Sequence, residues 1–198
     1  MSNYTTELEA VNVMLSAIGS SPVSSLSGGA EVSIAKNILT ETRREVLSRG
    51  WAFNYETKVT MTPVAGEVAL AENVLRIDGS AGYNGNRDIV QRGTLLYDRA
   101  GHTYAFDQDV TVDVTYNLDW SLLPEVARRY IMIRATRVFA DRIIGYGPQH
   151  TYNVQDEYMA LSDLKDAEGD TADHNMLTGN YDVYRVVARP SVTRRLSS

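Results

Sequence analysis

The chain has 198 residues, 43% of them hydrophobic and 22% charged, with a formal net charge of −6 and a sequence pI near 5.1. That length and balance suit a globular protein with one core, or one core and a small second lobe, and exclude a disordered chain. No apolar run reaches the roughly eighteen residues of a membrane span, no basic-then-apolar leader opens the chain, and the absence of cysteine removes disulfides, thiolate metal sites and a cysteine nucleophile.

Thr6-Glu7-Leu8-Glu9 fits a capping box, with Thr6 as N-cap and Glu9 three positions on. Leu8, Val11, Leu15 and Ile18 then supply the buried stripe of a first helix ending near Gly19. Residues 19–31, rich in Ser and Gly, read as a loop pinned by Val23 and Leu26. Gly28-Gly29 has no lysine after it and no strand before it, so a phosphate cradle is discounted.

A second helix is predicted over 33–49. Ile34, Ala35, Ile38, Leu39, Thr42 and Val46 recur at spacings of three and four, and Arg49 and Gly50 stand where a C-terminus expects them. The period then switches to two, placing Trp51, Phe53 and Tyr55 on one side of a strand and Ala52, Asn54 and Glu56 on the other. Trp51 and Phe53 are the expected core of a helix–sheet junction.

Residues 51–120 carry the β signals. Val59 and Met61 continue the alternation up to Pro63, and 68–70, 75–77, 89–92, 94–97 and 104–106 are short strand candidates. Asn84-Gly85 marks a turn and Gly93 a bulge or bend. Val110, Val112, Val114 and Tyr116 alternate with Thr111, Asp113 and Thr115 in the clearest strand. The expectation is a small, mostly antiparallel sheet, one face packed and one face wet.

Pro124-Glu125 opens a third helix running to Gly145, its apolar side carrying Val126/Ala127, Tyr130/Ile131, Val138 and Ile143. Its basic side holds Arg128, Arg129, Arg134, Arg137 and Arg142. A fourth helix over 154–168 is expected to bury Val154, Tyr158, Leu161 and Leu164. Beyond Gly169 the periodicity ends. The fold class expected is therefore α+β: a four-helix bundle made by N- and C-terminal helical pairs (1–50 and 121–168), an inserted antiparallel sheet (51–120) and a C-terminal arm (169–198).

Charge is unevenly placed. The acids Asp156, Glu157, Asp163, Asp166, Glu168, Asp170, Asp173 and Asp182 dominate 150–182, whereas Arg185, Arg189, Arg194 and Arg195 follow with no acid among them. A docking arm and a solvated tail both fit that asymmetry. The basic side of 124–145 admits a nucleic-acid reading. It equally admits pairing with the acidic fourth helix, within the chain or across a subunit interface, where opposite charges on adjacent helices suit a ring.

Catalytic signatures are lacking. His102, His150 and His174 are far apart and in no metal-ligand spacing. Asp107, Asp109, Asp113 and Asp119 are the carboxylates from which a glycan hydrolase pair could be drawn, although alternation sends some to opposite faces. Neither phosphate-loop motif nor nucleophile elbow is present. No catalytic, cofactor or metal residue is assigned.

Several stretches resemble the tail tubular protein A family of short-tailed bacteriophages, the head-to-tail adaptors or gatekeepers. They are Leu8-Glu9-Ala10-Val11-Asn12, residues 18–26 (Ile-Gly-Ser-Ser-Pro-Val-Ser-Ser-Leu), Arg49-Gly50-Trp51-Ala52-Phe53-Asn54, Leu123-Pro124-Glu125, Ala135-Thr136-Arg137-Val138-Phe139 and Asn175-Met176-Leu177-Thr178-Gly179. The likeness follows the family's order along nearly the whole chain and is least across 63–107. It implies a non-enzymatic virion protein, made in the host cytoplasm and placed in the collar between capsid and nozzle. Its implied partners are the portal protein, the nozzle (tail tubular protein B) and further copies of itself in a dodecameric ring. Genomic DNA would pass through the channel without sequence-specific binding. Tyr181, Tyr184, Arg185, Arg189, Arg194 and Arg195 would anchor the arm on the portal or a neighbouring subunit. Arg128, Arg134, Arg137 and Arg142, with Asp156, Glu157 and Asp163, would form the charged faces between subunits. A virion hydrolase and a DNA-binding module are the competing readings.

Overall fold

A computed structural model describes residues 4–79, 82–145 and 149–171. The helices are α1 (Glu7–Ala17), α2 (Ala30–Leu47), α3 (Glu125–Ile144) and α4 (Gln149–Thr171), and the strands between α2 and α3 run from β1 (Tyr55–Met61) to β5 (Val110–Tyr116). The expected order of two helices, a sheet and two helices is the order found.

α1 starts where the capping box places it. The Thr6 hydroxyl accepts from the Glu9 N–H at 3.2 Å, and the Thr6 N–H donates to the Glu9 carboxylate at 2.7 Å. The Thr6 N–H, and after it the Thr6 hydroxyl, which donates to the same carboxylate at 3.0 Å, hold the Glu9 carboxyl below the ordinary carboxylate range. The helix buries Ala10, Val11, Met14 and Leu15, so Met14 joins the expected stripe while Leu8 is only half-buried. The Ser-rich loop is pinned through Val23, whose N–H and C=O are both bonded by the Asn12 side chain at 2.8 and 3.0 Å. Val23 and Leu26 pack on the helical core.

α2 begins three residues earlier than expected and buries Val32, Ala35, Ile38, Leu39, Thr42, Val46 and Leu47, leaving Ile34 40% exposed. After it the predicted strand start is corrected. Ala52–Asn54 forms a turn of 3-10 helix and β1 begins only at Tyr55. The reason is Asn54, which alternation placed on the outward side. Its Oδ1 accepts the Trp51 N–H at 2.8 Å, and its Nδ2 donates to Leu47 C=O at 2.9 Å and Tyr116 C=O at 2.7 Å. Three bonds of that kind outweigh the weak preference of a few aromatic residues for an extended chain. Trp51 is buried, its indole N–H bonded to Val46 C=O at 2.8 Å, and Phe53 packs partly buried against the same helical core. Gly50 lies at φ +75°, and a Cβ there would stand 3.3 Å from Thr115 Oγ1, so the passage from helix to sheet favours glycine on both counts.

The sheet has three antiparallel strands in the order β1-β5-β2, with β2 spanning Val74–Asp78. A two-stranded hairpin of β3 (Ile89–Arg92) and β4 (Leu95–Asp98) turns at Gly93-Thr94. The candidates at 68–70 and 104–106 are not strands. Ala69 makes only an isolated bridge to Leu95, while Val68, Leu70 and Phe106 point into the β core. Nor is one face of the central strand wet, because β5 is buried on both sides from Val112 to Thr115. Asp113 is the reason on one side. β1 bulges between Glu56 and Val59, and the Asp113 carboxylate accepts the Lys58 N–H at 2.9 Å and the Tyr55 hydroxyl at 3.0 Å across the bulge. On the other side Val110, Val112 and Val114 meet Val68, Ile77, Ile89, Leu96 and Phe106 in a core of their own.

α3 has Pro124 as its N-cap rather than its first turn, and it buries Ala127, Tyr130, Ile131, Ala135 and Phe139 against α1 and α2. Phe139 is 0% exposed, a burial that contributes about 2–3 kcal/mol. It was absent from the expected stripe.

Candidate assembly interface

The phase of α4 departs from the sequence reading by about one residue. Glu157, Ala160 and Leu164 face the bundle, whereas Val154 is 44% and Tyr158 73% exposed. The cause is electrostatic. Glu157 Oε1 accepts from Arg134 Nη1 at 2.7 Å and its Oε2 from Arg137 Nε, and these two guanidiniums lie along the α3 side that α4 covers. Arg134 also reaches Glu45 of α2 at 2.6 Å, and Arg137 reaches Asp141 at 3.2 Å. One carboxylate thus clamps two arginines at the α3–α4 seam, with side-chain exposures of 11% for Glu157 against 20% and 21% for the arginines. The bond to Glu157, followed by that to Asp141, outweighs burial and raises the Arg137 pKa. For Arg134 burial pulls down, and the charges of Tyr130, Glu45 and Glu157 more than restore it.

The remaining expected charge-face residues divide between interior and surface. Arg128, placed by sequence on the exposed basic side, is buried at 6% exposure. Its guanidinium donates to three backbone carbonyls, those of Leu123, Thr5 and Ser121, at 2.9–3.1 Å. Together with the Trp120 indole, also bonded to Thr5 C=O at 2.9 Å, and Glu125, which accepts the Thr5 N–H at 2.9 Å, it ties the N-terminal segment to the start of α3. Arg142 pairs with Glu41 at 3.1 Å in solvent. Asp156 and Asp163 are exposed and border a groove between α3 and α4 of about 500 Å³. Arg134, Arg137 and Glu157 are therefore matched within the chain, while Asp156 and Asp163 face outward. Tyr181, Tyr184, Arg185, Arg189, Arg194 and Arg195 lie outside the described residues.

The sheet acids are spread over separate tasks. Asp113 holds the β1 bulge, Asp107 is ion-paired with Arg87, and Asp119 precedes the Trp120–Leu122 turn. Asp98, which no sequence pattern singled out, is buried, and its carboxylate accepts the Ala100 N–H at 3.0 Å and the Asp88 N–H at 3.1 Å. Among the described residues no His, Asp and Glu side chains gather as a metal site would require, and no helix is long and apolar enough to cross a membrane.

The surface feature that sequence reasoning missed is the outward side of α4, where Val154, Tyr158 and Met159 are 44%, 73% and 50% exposed. Val154 and Tyr158, four residues apart, are neighbours on that helix, and Met159 lies on its flank toward the groove beside α3. The signal for it was available in Glu157. An acid between two apolar residues of a predicted buried stripe becomes an anchor once two arginines spaced i, i+3 stand on the preceding helix.

The described residues thus form an inserted sheet carried on a helical bundle, with the buried polar side chains spent on its joints. The chain belongs to the tail tubular protein family, whose pattern matches residues 8–174. It is similar to tail tubular protein A of Klebsiella phage KP34, 30% identical over 128 residues. That match covers 63% of this chain and 66% of the relative, just under two thirds of its length. Its place is accordingly among the structural components of the virion tail.

Proposed function

We propose that the chain is a ring-forming head-to-tail adaptor, set in the collar between the portal protein and the nozzle, with the genome's exit path through the middle of the ring. The observation that carries this is the outward side of α4. A helix anchored by one line of residues and exposing Val154, Tyr158 and Met159 suits a surface completed by a second chain. The family membership and the likeness to a phage tail tubular protein A both support a tail location. Contacts that are weak singly hold firmly when repeated around a ring, and a dodecamer is the expected closure. The acidic balance of the chain suits a lumen past which phosphates slide without sticking. The arginine side of α3 adds little phosphate affinity, because Arg134, Arg137 and Arg142 are already matched to carboxylates.

In this reading Tyr181, Tyr184, Arg185, Arg189, Arg194 and Arg195 anchor the arm on the portal or a neighbouring subunit during assembly. Mass measurement of the protein alone and mixed with portal tests the proposal, with ring-sized complexes expected in the mixture. Deleting residues 182–198 is expected to leave the helical core folded and to abolish attachment. A truncated chain that still joined tailless heads normally would overturn the role given to the arm.

A further inference from the structure

We infer that, before assembly, the chain's own basic segment around Arg185–Val187–Arg189 seats in the groove between α3 and α4, with Asp163 and Asp156 as its ionic partners. The groove has an apolar floor of Ile133, Met159 and Ala160, and its rim carries Asp156 and Asp163 against a single guanidinium, Arg129. Two carboxylates against one cation leave the rim net negative. From Val183 onward the chain holds four arginines and no acid, so the two charges are complementary.

Spacing agrees with charge. Asp156 and Asp163 are seven residues apart on α4, which is about 10 Å along a helix. In any extended chain, residues i and i+4 fall on one side about 13 Å apart with i+2 between them, and Arg185, Val187 and Arg189 have that spacing in the sequence. The difference is well within the swing of an arginine side chain. Arg-Val-Arg thus presents cation, apolar group and cation to a rim that offers acid, apolar floor with half-exposed Met159, and acid.

Reach also agrees. α4 ends at Thr171, and Asp163 lies eight residues back, about 12 Å along the helix. Thirteen residues separate Thr171 from Arg185, and a flexible linker of that length has a typical end-to-end span of about 20 Å. A tether of that length gives an effective concentration in the millimolar range, so even a modest groove contact is populated within one chain. Docking in this way withholds the arm from other partners until assembly displaces it. The groove contact itself concerns the unassembled protein, whereas its displacement on assembly rests on the adaptor reading.

The chain has no cysteine, so a disulfide can report the contact directly. Purified full-length Met159→Cys/Val187→Cys protein, oxidised at low concentration, is expected to give a bridged monomer that migrates faster on non-reducing electrophoresis. A Val13→Cys/Val187→Cys control, with its first thiol on exposed α1, is expected to remain unbridged. Adding Asp156→Lys and Asp163→Lys should slow bridging by roughly tenfold, as expected of two surface ion pairs, and Arg185→Glu with Arg189→Glu should restore it. Covalent dimers in place of bridged monomer would assign the groove to a neighbouring copy and overturn the inference. Equal bridging in the α1 control, or none at Met159, would also overturn it.

Discussion

Replacing Glu157 with alanine should destabilise the protein by far more than a surface charge loss. The side chain is 11% exposed and neutralises two guanidiniums that are themselves only about one-fifth exposed. Removing one member of a buried ion pair costs about 3–5 kcal/mol, because the partner stays buried without its counter-charge. Here the cost is reduced, since Arg134 keeps Glu45 and Arg137 keeps Asp141, and about 2–3 kcal/mol is expected after that discount. For a chain of this size that amounts to a fall in Tm of roughly 4–12 °C. Arg142→Ala is the internal control. Its pair with Glu41 is 53% and 63% exposed, so its loss should stay within about 0.5 kcal/mol. Urea unfolding followed by tryptophan fluorescence reads both variants, because Trp51 and Trp120 are buried in the helical core. If Glu157→Ala cost no more than Arg142→Ala, the clamp would not be what sets the phase of α4.

Two further perturbations test the joints. Asn54→Ala removes one acceptor and both donor bonds that join α2, the turn and β5, and a loss of about 2–4 kcal/mol is expected. Asn54→Asp should be nearly as damaging, since it keeps the acceptor and loses the donors, and a mild Asn54→Asp phenotype by urea titration would refute the assignment. At Asp98 burial pushes the carboxyl up, but the N–H groups of Asp88, Gly101 and Ala100, with the Arg87 charge, outweigh it and leave the pKa below the ordinary value. A folded pKa below the unfolded one gives stability that is fully present above the unfolded value, about pH 4, and is lost as pH falls through the folded one. Asp98→Asn should therefore be less stable than the parent at pH 7, by about 1–2 kcal/mol, with the gap closing below about pH 4. A gap that stayed constant down to pH 3 in urea titrations would refute this.

What the sequence made legible is local. The Thr6–Glu9 box and the Val110–Tyr116 strand each depend on residues within a few positions of one another, and each is found, while the helix expected from Pro124 begins one residue later. What stayed hidden depends on distant partners. Asn54 reaches Tyr116, 62 residues on, and Arg128 reaches Thr5, 123 residues back. Alternation therefore counted Asn54 as an outward strand residue, and helical charge patterning counted Arg128 as a surface cation. A buried polar side chain satisfied from far along the chain has no periodic signature, and the elements it joins are misphased until its partners are known.

α4 carries this furthest, because there the misphasing and the exposure of apolar side chains have one cause. A stripe chosen by hydrophobicity alone buries Val154, Tyr158, Leu161 and Leu164. The stripe observed is Glu157, Ala160 and Leu164, with Leu161 at its edge. Rotating the helix to bring Glu157 onto Arg134 and Arg137 turns Tyr158 out to 73% exposure. A tyrosine side chain that could have been covered within the chain is worth about 1.5–3 kcal/mol of burial. The clamp offsets that loss, because leaving Arg134 and Arg137 covered without Glu157 would cost more. Val154 and Tyr158 are thereby left exposed.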